Sequence, residues 1–534
     1  MAGSAIARAS AIMASGTVVS RLLGIIKVII LAYAIGQVGS VSGDAYANGN
    51  MLPNLLYTML LGGMLNAVLV PQIVKAAKKA DGGAGYINKL VTFVAVSLTA
   101  LTVVVMLITP WLVTLYTLKW DADQRGLAIA FAYWCMPQIV FFGIYAVLGE
   151  VLNAKSVFGP STWAPVLNNI VAIAGFGVFI FMFGADPLGQ RSVGDWNSTS
   201  IAVLAGSATL GIASQAFILL AFWRKAGIHF KPDFKWRGMG LADTGKIAGW
   251  TLGALLITNL GAIVTQNVLN GASGEGPAAI ALDTAWTIYI MPHSVITISI
   301  ATAYFTRLSE SSHAGDMQGF IRDFSSAVRQ VMLILMLAAV VVFALAPFVS
   351  RVVNLGASID QVDQFSLVLR AYLVSLPAFS FLFVVQRAFY ATSDTRTPFF
   401  YACARIAVSI TLSLIALTFV PKALLGTAVA LIISIAAIVE TVLATLLLRK
   451  KLGAIDGKRI LLSLARYTVS GALALGVGLI CTSLARSWQP DFSPLYAILV
   501  SIVIAGIMAI FYLGGLLILR TPELSAVIAR VRRR

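Results

Sequence analysis

Residues 17–35 read TVVSRLLGIIKVIILAYAI, an apolar run interrupted by Arg21 and Lys27. Wound as a helix at about 1.5 Å per residue, it is long enough to cross most of a bilayer core of about 30 Å. A cleavable signal peptide needs an uncharged apolar centre, so the two cations mark this stretch as a retained first helix. Each of those cations then requires a wet cavity or a partner, because an ionised side chain in hydrocarbon is expensive.

Outward from this stretch, runs of similar length recur to residue 519, with 59% hydrophobic and only 11% charged residues in the 534-residue chain. Such a composition cannot supply the surface of a water-soluble globule. The expected fold is an all-α polytopic membrane protein of about fourteen transmembrane helices: 17–35, 52–74, 90–116, 127–152, 161–183, 201–223, 247–269, 278–305, 328–353, 365–389, 399–420, 423–448, 464–484 and 495–519. The expected divisions are an N-lobe (1–223), a basic connector (224–246), a C-lobe (247–448), a pair of extra spans (449–520) and a basic tail (521–534).

The net charge of +17 is distributed by loop. One alternating set carries Lys75, Lys78, Lys79, Lys89, Lys155, Arg224, Lys225, Arg396 and Arg449 to Lys451; the other is richer in acids such as Asp121, Asp186 and Asp360. Cytoplasmic loops hold the excess of Lys and Arg, so both termini are expected in the cytoplasm, in agreement with the tail Arg532 to Arg534. The charge therefore marks a membrane face and not a nucleic-acid surface. Cys135, Cys403 and Cys481 lack paired spacing, and no P-loop, metal-spaced His pair or nucleophile elbow occurs. No enzyme, cofactor or metal site is expected.

An internal repeat relates the halves: Ala132-Tyr133 before Pro137 corresponds to Ala371-Tyr372 before Pro377, and Leu152 to Ala154 before Pro160 corresponds to Phe389 to Ala391 before Pro398. Duplicated halves suit an alternating-access transporter.

Ionisable residues inside the spans are the candidates for function: Arg21, Lys27, Glu150, Asp283, Arg370, Arg387, Arg405 and Glu440. Arg370, Arg387 and Glu150 lie near span ends, where snorkelling accounts for them. His293 is expected to be a packed, hydrogen-bonded imidazole. On the first helix, Gly16, Ser20 and Gly24 form a small-residue strip for close packing or a cavity wall, with Lys27 continuing it. Arg21 and Lys27 lie about 9 Å apart along the axis, a spacing suited to successive positions of a large anion. Arginine grips phosphate oxygens in pairs and lysine acts as a point charge, which makes Arg21 the preferred phosphate clamp. The alternative is that both cations pair with carboxylates such as Asp44 or Asp283.

The motifs Ser20 to Gly24, Gly43-Asp44-Ala45, Leu52-Pro53-Asn54-Leu55-Leu56 and Leu69-Val70-Pro71 resemble the N-terminal signature of the MurJ (MviN) lipid II flippase family. The resemblance extends through Ala164 to Asn169, Arg307-Leu308-Ser309, Phe389 to Ala391 and Asp394 to Pro398, and Ala285-Trp286 and Pro292-His293 look most like actinobacterial members. It implies the MOP exporter fold, two six-helix lobes about a cationic cavity, and a lipid-tail groove along the last two spans. It also implies substrate-binding roles for Arg21, Lys27, Asn54 and Arg405, and gate roles for Asp44 and Gly24. This sequence departs from the family pattern at Tyr57, Thr58, Gly62, Thr287 and Ile290, where charged residues are usual, and Arg405 is a candidate to compensate.

The implied function is translocation of lipid II, the undecaprenyl-pyrophosphate-linked peptidoglycan precursor, from the cytoplasmic to the outer leaflet. The alternatives are a flippase for another polyprenyl-linked glycan and a non-transporting membrane protein of the cell-wall machinery. The expected partners are lipid II, anionic membrane lipids and other cell-wall synthesis or division proteins, with the chain itself a monomer. Membrane potential is the expected drive; sodium coupling is not expected, since spans seven and eleven contain no acid.

Overall fold

The computed structural model describes residues 2–61, 83–155, 157, 159–223, 230–235 and 245–524, with backbone alone for 2–12, 14, 60–61, 245–252 and 254. Lys75, Lys78, Lys79, Gly62, Arg224, Lys225 and the tail arginines lie outside the described residues.

The described residues form helices throughout most of their length, as hydrocarbon demands: only a structure that satisfies its own backbone can cross it. Unit 1 (Met1–Gly274) contains α1 (Ala2–Ile35), α2 (Val41–Leu61), α3 (Ala84–Tyr116), α4 (Ala122–Cys135), α5 (Gln138–Ala154), α6 (Gly159–Phe183), α7 (Ser198–Trp223) and α8 (Gly245–Leu269). Unit 2 (Glu275–Arg534) contains α9 (Ala279–Pro292), α10 (Ile298–His313), α11 (Met317–Ala344), α12 (Ala346–Val353), α13 (Ile359–Leu373), α14 (Leu376–Ala391), α15 (Arg396–Phe419), α16 (Lys422–Leu452), α17 (Gly457–Trp488) and α18 (Pro494–Ile518).

Among the described residues, twelve segments are long and apolar enough to span a membrane. The other two expected spans fall on 52–74, which runs outside the described residues, and on α8, whose first turns lack described side chains. Sequence reading placed α8 at the start of the C-lobe. Its C-terminal end is tied into unit 1: Asn267 Nδ2 donates to Leu115 O (2.7 Å) and Asn270 Nδ2 to Tyr116 O (2.8 Å).

Packing repeats between the units. In unit 1, α6 lies against α7, and the broken span α4–α5 contacts α2, α3 and α7; in unit 2, α15 lies against α16, and the broken span α13–α14 contacts α9, α10, α11 and α16. Both breaks sit at the repeated Ala-Tyr…Pro motif. Pro137 follows Met136 between α4 and α5, and Ser375 precedes Leu376-Pro377 between α13 and α14. Proline removes a donor and displaces the preceding turn, which frees carbonyls that water cannot reach.

At each break, hydroxyls on a neighbouring span take up main-chain carbonyls. Thr209 Oγ1 of α7 donates to Trp134 O (2.7 Å) and accepts from Gln138 Nε2 (3.0 Å). In unit 2, Ser434 Oγ of α16 reaches Ala371 O (2.7 Å) and Tyr372 O (3.1 Å), while Thr441 Oγ1 donates to Ala378 O (3.0 Å).

A third irregularity lies in unit 2. A π-helical turn, His293–Thr297, joins α9 to α10 within one long span. Such turns insert an extra residue and re-aim the helix beyond them. His293 is buried there, with Nδ1 3.0 Å from Ser380 Oγ and its ring against Phe379 and Phe383. It is the packed imidazole expected from sequence.

Candidate functional site

The small-residue strip of α1 packs directly on α6, and the choice between seam and cavity wall resolves to the seam. A Cβ at Gly16 would lie 2.8 Å from the Trp163 ring, and Asn169 Nδ2 donates to Ser20 O at 2.9 Å. Gly24 continues the seam, its would-be Cβ 3.9 Å from Asn169 Nδ2, an ordinary contact distance.

Arg21 is offset from this seam by one residue, about 100° around the axis. It is half-buried, and among the described residues no carboxylate or carbonyl takes a hydrogen from it. The opposite side of α1, with Val18, Leu22 and Ile26, is exposed as a lipid-facing row should be. Lys27 is half-buried, and helical geometry turns it about 120° away from Arg21. The two cations of α1 therefore present charge in different directions, and a single small anion could not be held by both.

Asp44 stands in the first turn of α2, where the helix dipole favours a negative charge, and it is fully buried. It accepts from Ser273 Oγ (2.7 Å), which in turn accepts from Gln124 Nε2 of α4 (2.8 Å). One turn on, Asn48 and Asn270 exchange amide hydrogen bonds at 3.1 and 3.0 Å, and Trp120 Nε1 donates to Asn270 O (3.0 Å). These bonds gather α2, the start of α4 and the end of α8 into one polar knot. Loss of the carboxylate would leave the Ser273 hydroxyl, on the segment after α8, without this acceptor.

Asn54 is exposed on α2 and its carbonyl accepts from Thr58. Tyr57, at a position where the family usually has charge, stacks on Phe142 with ring centroids 5.2 Å apart. Thr287 donates to Asp283 O (3.1 Å), and Asp283 itself is exposed.

Arg405, on α15, is brought against Glu440 of α16, Nε to Oε2 3.2 Å, with the carboxylate nearly buried. Its charge is compensated inside unit 2, unlike that of Arg21. Arg387 is held between two rings, 5.2 Å from the Phe305 centroid and 4.8 Å from that of Phe383, an arrangement that stabilises a cation without a carboxylate.

Sequence reading missed a buried ionic group near the middle of α11. Arg329 pairs with Glu523, both side chains 8% exposed, while Arg329 Nε donates to Ser325 O (3.2 Å) and Ser325 Oγ donates to Asp456 Oδ2 (2.6 Å). Arg329 sits one residue inside an expected span, which was a usable signal; the identity of Glu523, 194 residues away, was not. Among the described residues no cluster of three metal-ligating side chains occurs.

The model of the family described as lipid II flippase MurJ matches residues 31–508, which include Asp44, Asn54 and Arg405 and stop short of Arg21, Gly24 and Lys27. A probable lipid II flippase MurJ of Rhizobium tropici is 26% identical over 418 residues, covering 75% of this chain and 73% of the relative. The Haemophilus influenzae protein of the same description is 23% identical, covering 72% and 75%. In fold, the chain is similar to a lipid II flippase MurJ solved in an inward closed conformation, with TM-score 0.69, 20% identity, and 95% and 99% of the two chains covered. It is also similar to an inward-facing multidrug resistance MATE transporter of the MOP superfamily, with TM-score 0.63, 15% identity, and 82% and 96% covered.

Proposed function

The chain belongs to the lipid II flippase MurJ family, and on that premise we propose that it carries lipid II from the cytoplasmic to the outer leaflet by alternating access. It is a multi-pass membrane transporter and not an enzyme. The observation that carries the residue-level reading is Arg21: an intramembrane guanidinium with no anionic partner among the described residues, on a helix otherwise fixed to its neighbour.

Arg21 receives the diphosphate of the lipid, since its planar fork matches two phosphate oxygens and its donors are unclaimed among the described residues. Lys27, turned away along the same helix, acts at a different stage of the passage. The polyprenyl tail stays in hydrocarbon along α17 and α18 while sugars and peptide cross in water, which avoids the cost of burying them in lipid. Asp44 and its partner Ser273 hold the far gate shut until the cargo arrives, with Gly24 permitting α1 to stay close to α6. Asn54 contributes a polar contact to the cargo, and Arg405, its charge already compensated by Glu440, only a secondary one.

The basic loops and both termini face the cytoplasm, and the basic connector and tail hold anionic lipids and offer a surface to other cell-wall synthesis or division proteins. The monomer is the working unit. Membrane potential drives the cycle through the cavity cations, one charge across 100 mV being worth about 2.3 kcal/mol.

The test is a depletion strain complemented with Arg21→Ala at matched membrane abundance, read by the accessibility of lipid II at the outer leaflet. The proposal requires lipid II to accumulate at the inner leaflet and the cells to lyse. Normal growth with normal outer-leaflet lipid II would remove Arg21 from the mechanism.

A further inference from the structure

At the end of unit 2 remote from Arg449 to Lys451, a cavity of about 570 Å³ is lined by Pro347, Ile359, Arg370, Ser483, Arg486 and Asp491 among others. It is built from α12, α13, the last three turns of α17 and the loop that follows. Arg370 donates through Nε to Phe343 O (3.1 Å) and lies over the Phe343 ring, 5.5 Å from its centroid. Arg486 Nη2 is 2.7 Å from Asp363 Oδ2. A guanidinium has five N–H donors, and among the described residues no further acceptor takes a hydrogen from either arginine. Arg486 thus has a carboxylate partner and Arg370 only a carbonyl, with most of their donors unclaimed among the described residues beside an open cavity.

A third arginine keeps the rim in place: Arg351 donates to Phe492 O (3.0 Å) and Ala357 O (2.6 Å), and Arg486 lies 5.7 Å from the Phe492 ring centroid. Leu484 and Trp488 each follow a lining serine, Ser483 and Ser487, on α17, and Leu495 lies in the first turn of α18, so an apolar surface adjoins the lining in sequence. Leu484, Trp488 and Leu495 are 54, 82 and 67% exposed. A tryptophan at the end of a spanning helix, next to bare leucines, marks the level where acyl chains give way to headgroups.

We propose that this cavity binds the headgroup of a bilayer phospholipid, its phosphate between Arg370 and Arg486 and its amine against the exposed carboxylate of Asp491. The acyl chains then lie on Leu484, Trp488 and Leu495. A free phosphate would bring the same oxygens to the arginines but nothing to cover that apolar rim. The preferred occupant is an ethanolamine phospholipid, because the cavity offers a carboxylate as well as the two guanidiniums. This site is independent of the cargo reading, and its occupant is bulk lipid.

Native mass spectrometry of the full chain in detergent, titrated with phosphatidylethanolamine, phosphatidylglycerol or inorganic phosphate, tests this. Retention of phosphatidylethanolamine above phosphatidylglycerol is expected. Arg370→Gln and Arg486→Gln should each lower the bound fraction about tenfold, the scale of losing one charged hydrogen-bond contact. Ser483→Phe fills the cavity with both arginines intact and should also lower binding, which separates loss of the site from loss of the fold. Asp491→Asn should abolish the preference for ethanolamine and leave phosphatidylglycerol bound. Equal lipid retention by the wild type and all four variants would overturn the proposal, as would displacement of lipid by millimolar inorganic phosphate.

Discussion

The two broken spans, α4–α5 in unit 1 and α13–α14 in unit 2, solve one problem with different parts. Both interrupt at the repeated motif, and both hand the freed carbonyls to a hydroxyl of the span two further along, Thr209 in one and Ser434 in the other. The units differ in how they treat charge. Unit 2 pairs Arg405 with Glu440 and Arg329 with Glu523, whereas in unit 1 Arg21 has no carboxylate partner among the described residues. Backbone geometry has been repeated and the electrostatics have diverged, which is what one lobe handling an anion and the other providing a frame would require.

The largest effect should separate Arg21 from Arg405. Arg21→Gln is expected to remove outer-leaflet lipid II, while the double variant Arg405→Gln with Glu440→Gln, which deletes both charges together, keeps at least a substantial fraction of transport. Equal loss in both would erase the distinction between the units. Next in size is the buried pair near the middle of α11. Arg329→Ala leaves Glu523 buried and unpaired and should destabilise unit 2 by about 3 to 5 kcal/mol. Arg329→Met with Glu523→Leu should recover most of it, as measured by chemical unfolding in micelles.

Smaller still are the hydroxyls at the breaks. Thr209→Val and Ser434→Ala should each cost about 1 kcal/mol, the net worth of a typical intramolecular hydrogen bond. Similar losses in melting temperature would support a shared repair, and a loss confined to one unit would show that only one break depends on it.

The smallest effect concerns the turns after each broken span. Unit 1 closes its turn with a neutral contact, Ser161 Oγ to Asn153 Oδ1 at 3.2 Å; unit 2 uses Asp394, bonded to Lys451 Nζ (2.8 Å) and to Thr397 N and Oγ1 (both 2.9 Å). Burial pushes the Asp394 carboxyl up, but the bonds from Lys451 and Thr397 outweigh it and hold the group below its ordinary 3.8. A carboxylate depressed on folding contributes stability above its unfolded value and loses it as pH falls through the lower folded one. Acidification below about pH 4 should therefore loosen the unit 2 turn, and Asp394→Asn should abolish that part of the pH dependence. Hydrogen exchange at residues 392–397 reads both. The gain is small, because the pair is partly exposed and screened by salt.

Much of this was legible in the chain. Uninterrupted apolar runs specify spans through the length of a bilayer, and the Ala-Tyr…Pro repeats related the two halves, although the spans that carry them were expected to be continuous and are broken there. The cations of α1 were visible because charge in such a run is costly. The partners were not. Arg405 meets Glu440 and Arg329 meets Glu523 only through helix packing, which no local pattern encodes, and the hydrogen bond from Ser273 to Asp44 joins residues more than two hundred positions apart. Strip and seam were also indistinguishable from residue size alone: Gly16, Ser20 and Gly24 would line a void as readily as they admit Trp163 and Asn169.

That seam sets a mechanical condition on the cycle. With an indole wedged against Gly16 and an amide clipped to the backbone at Ser20, α1 cannot spin about its own axis without tearing away from α6. The guanidinium it carries must then travel as luggage on a two-helix strut, and spin labels fixed to the pair should report one unvarying separation through every stage of turnover.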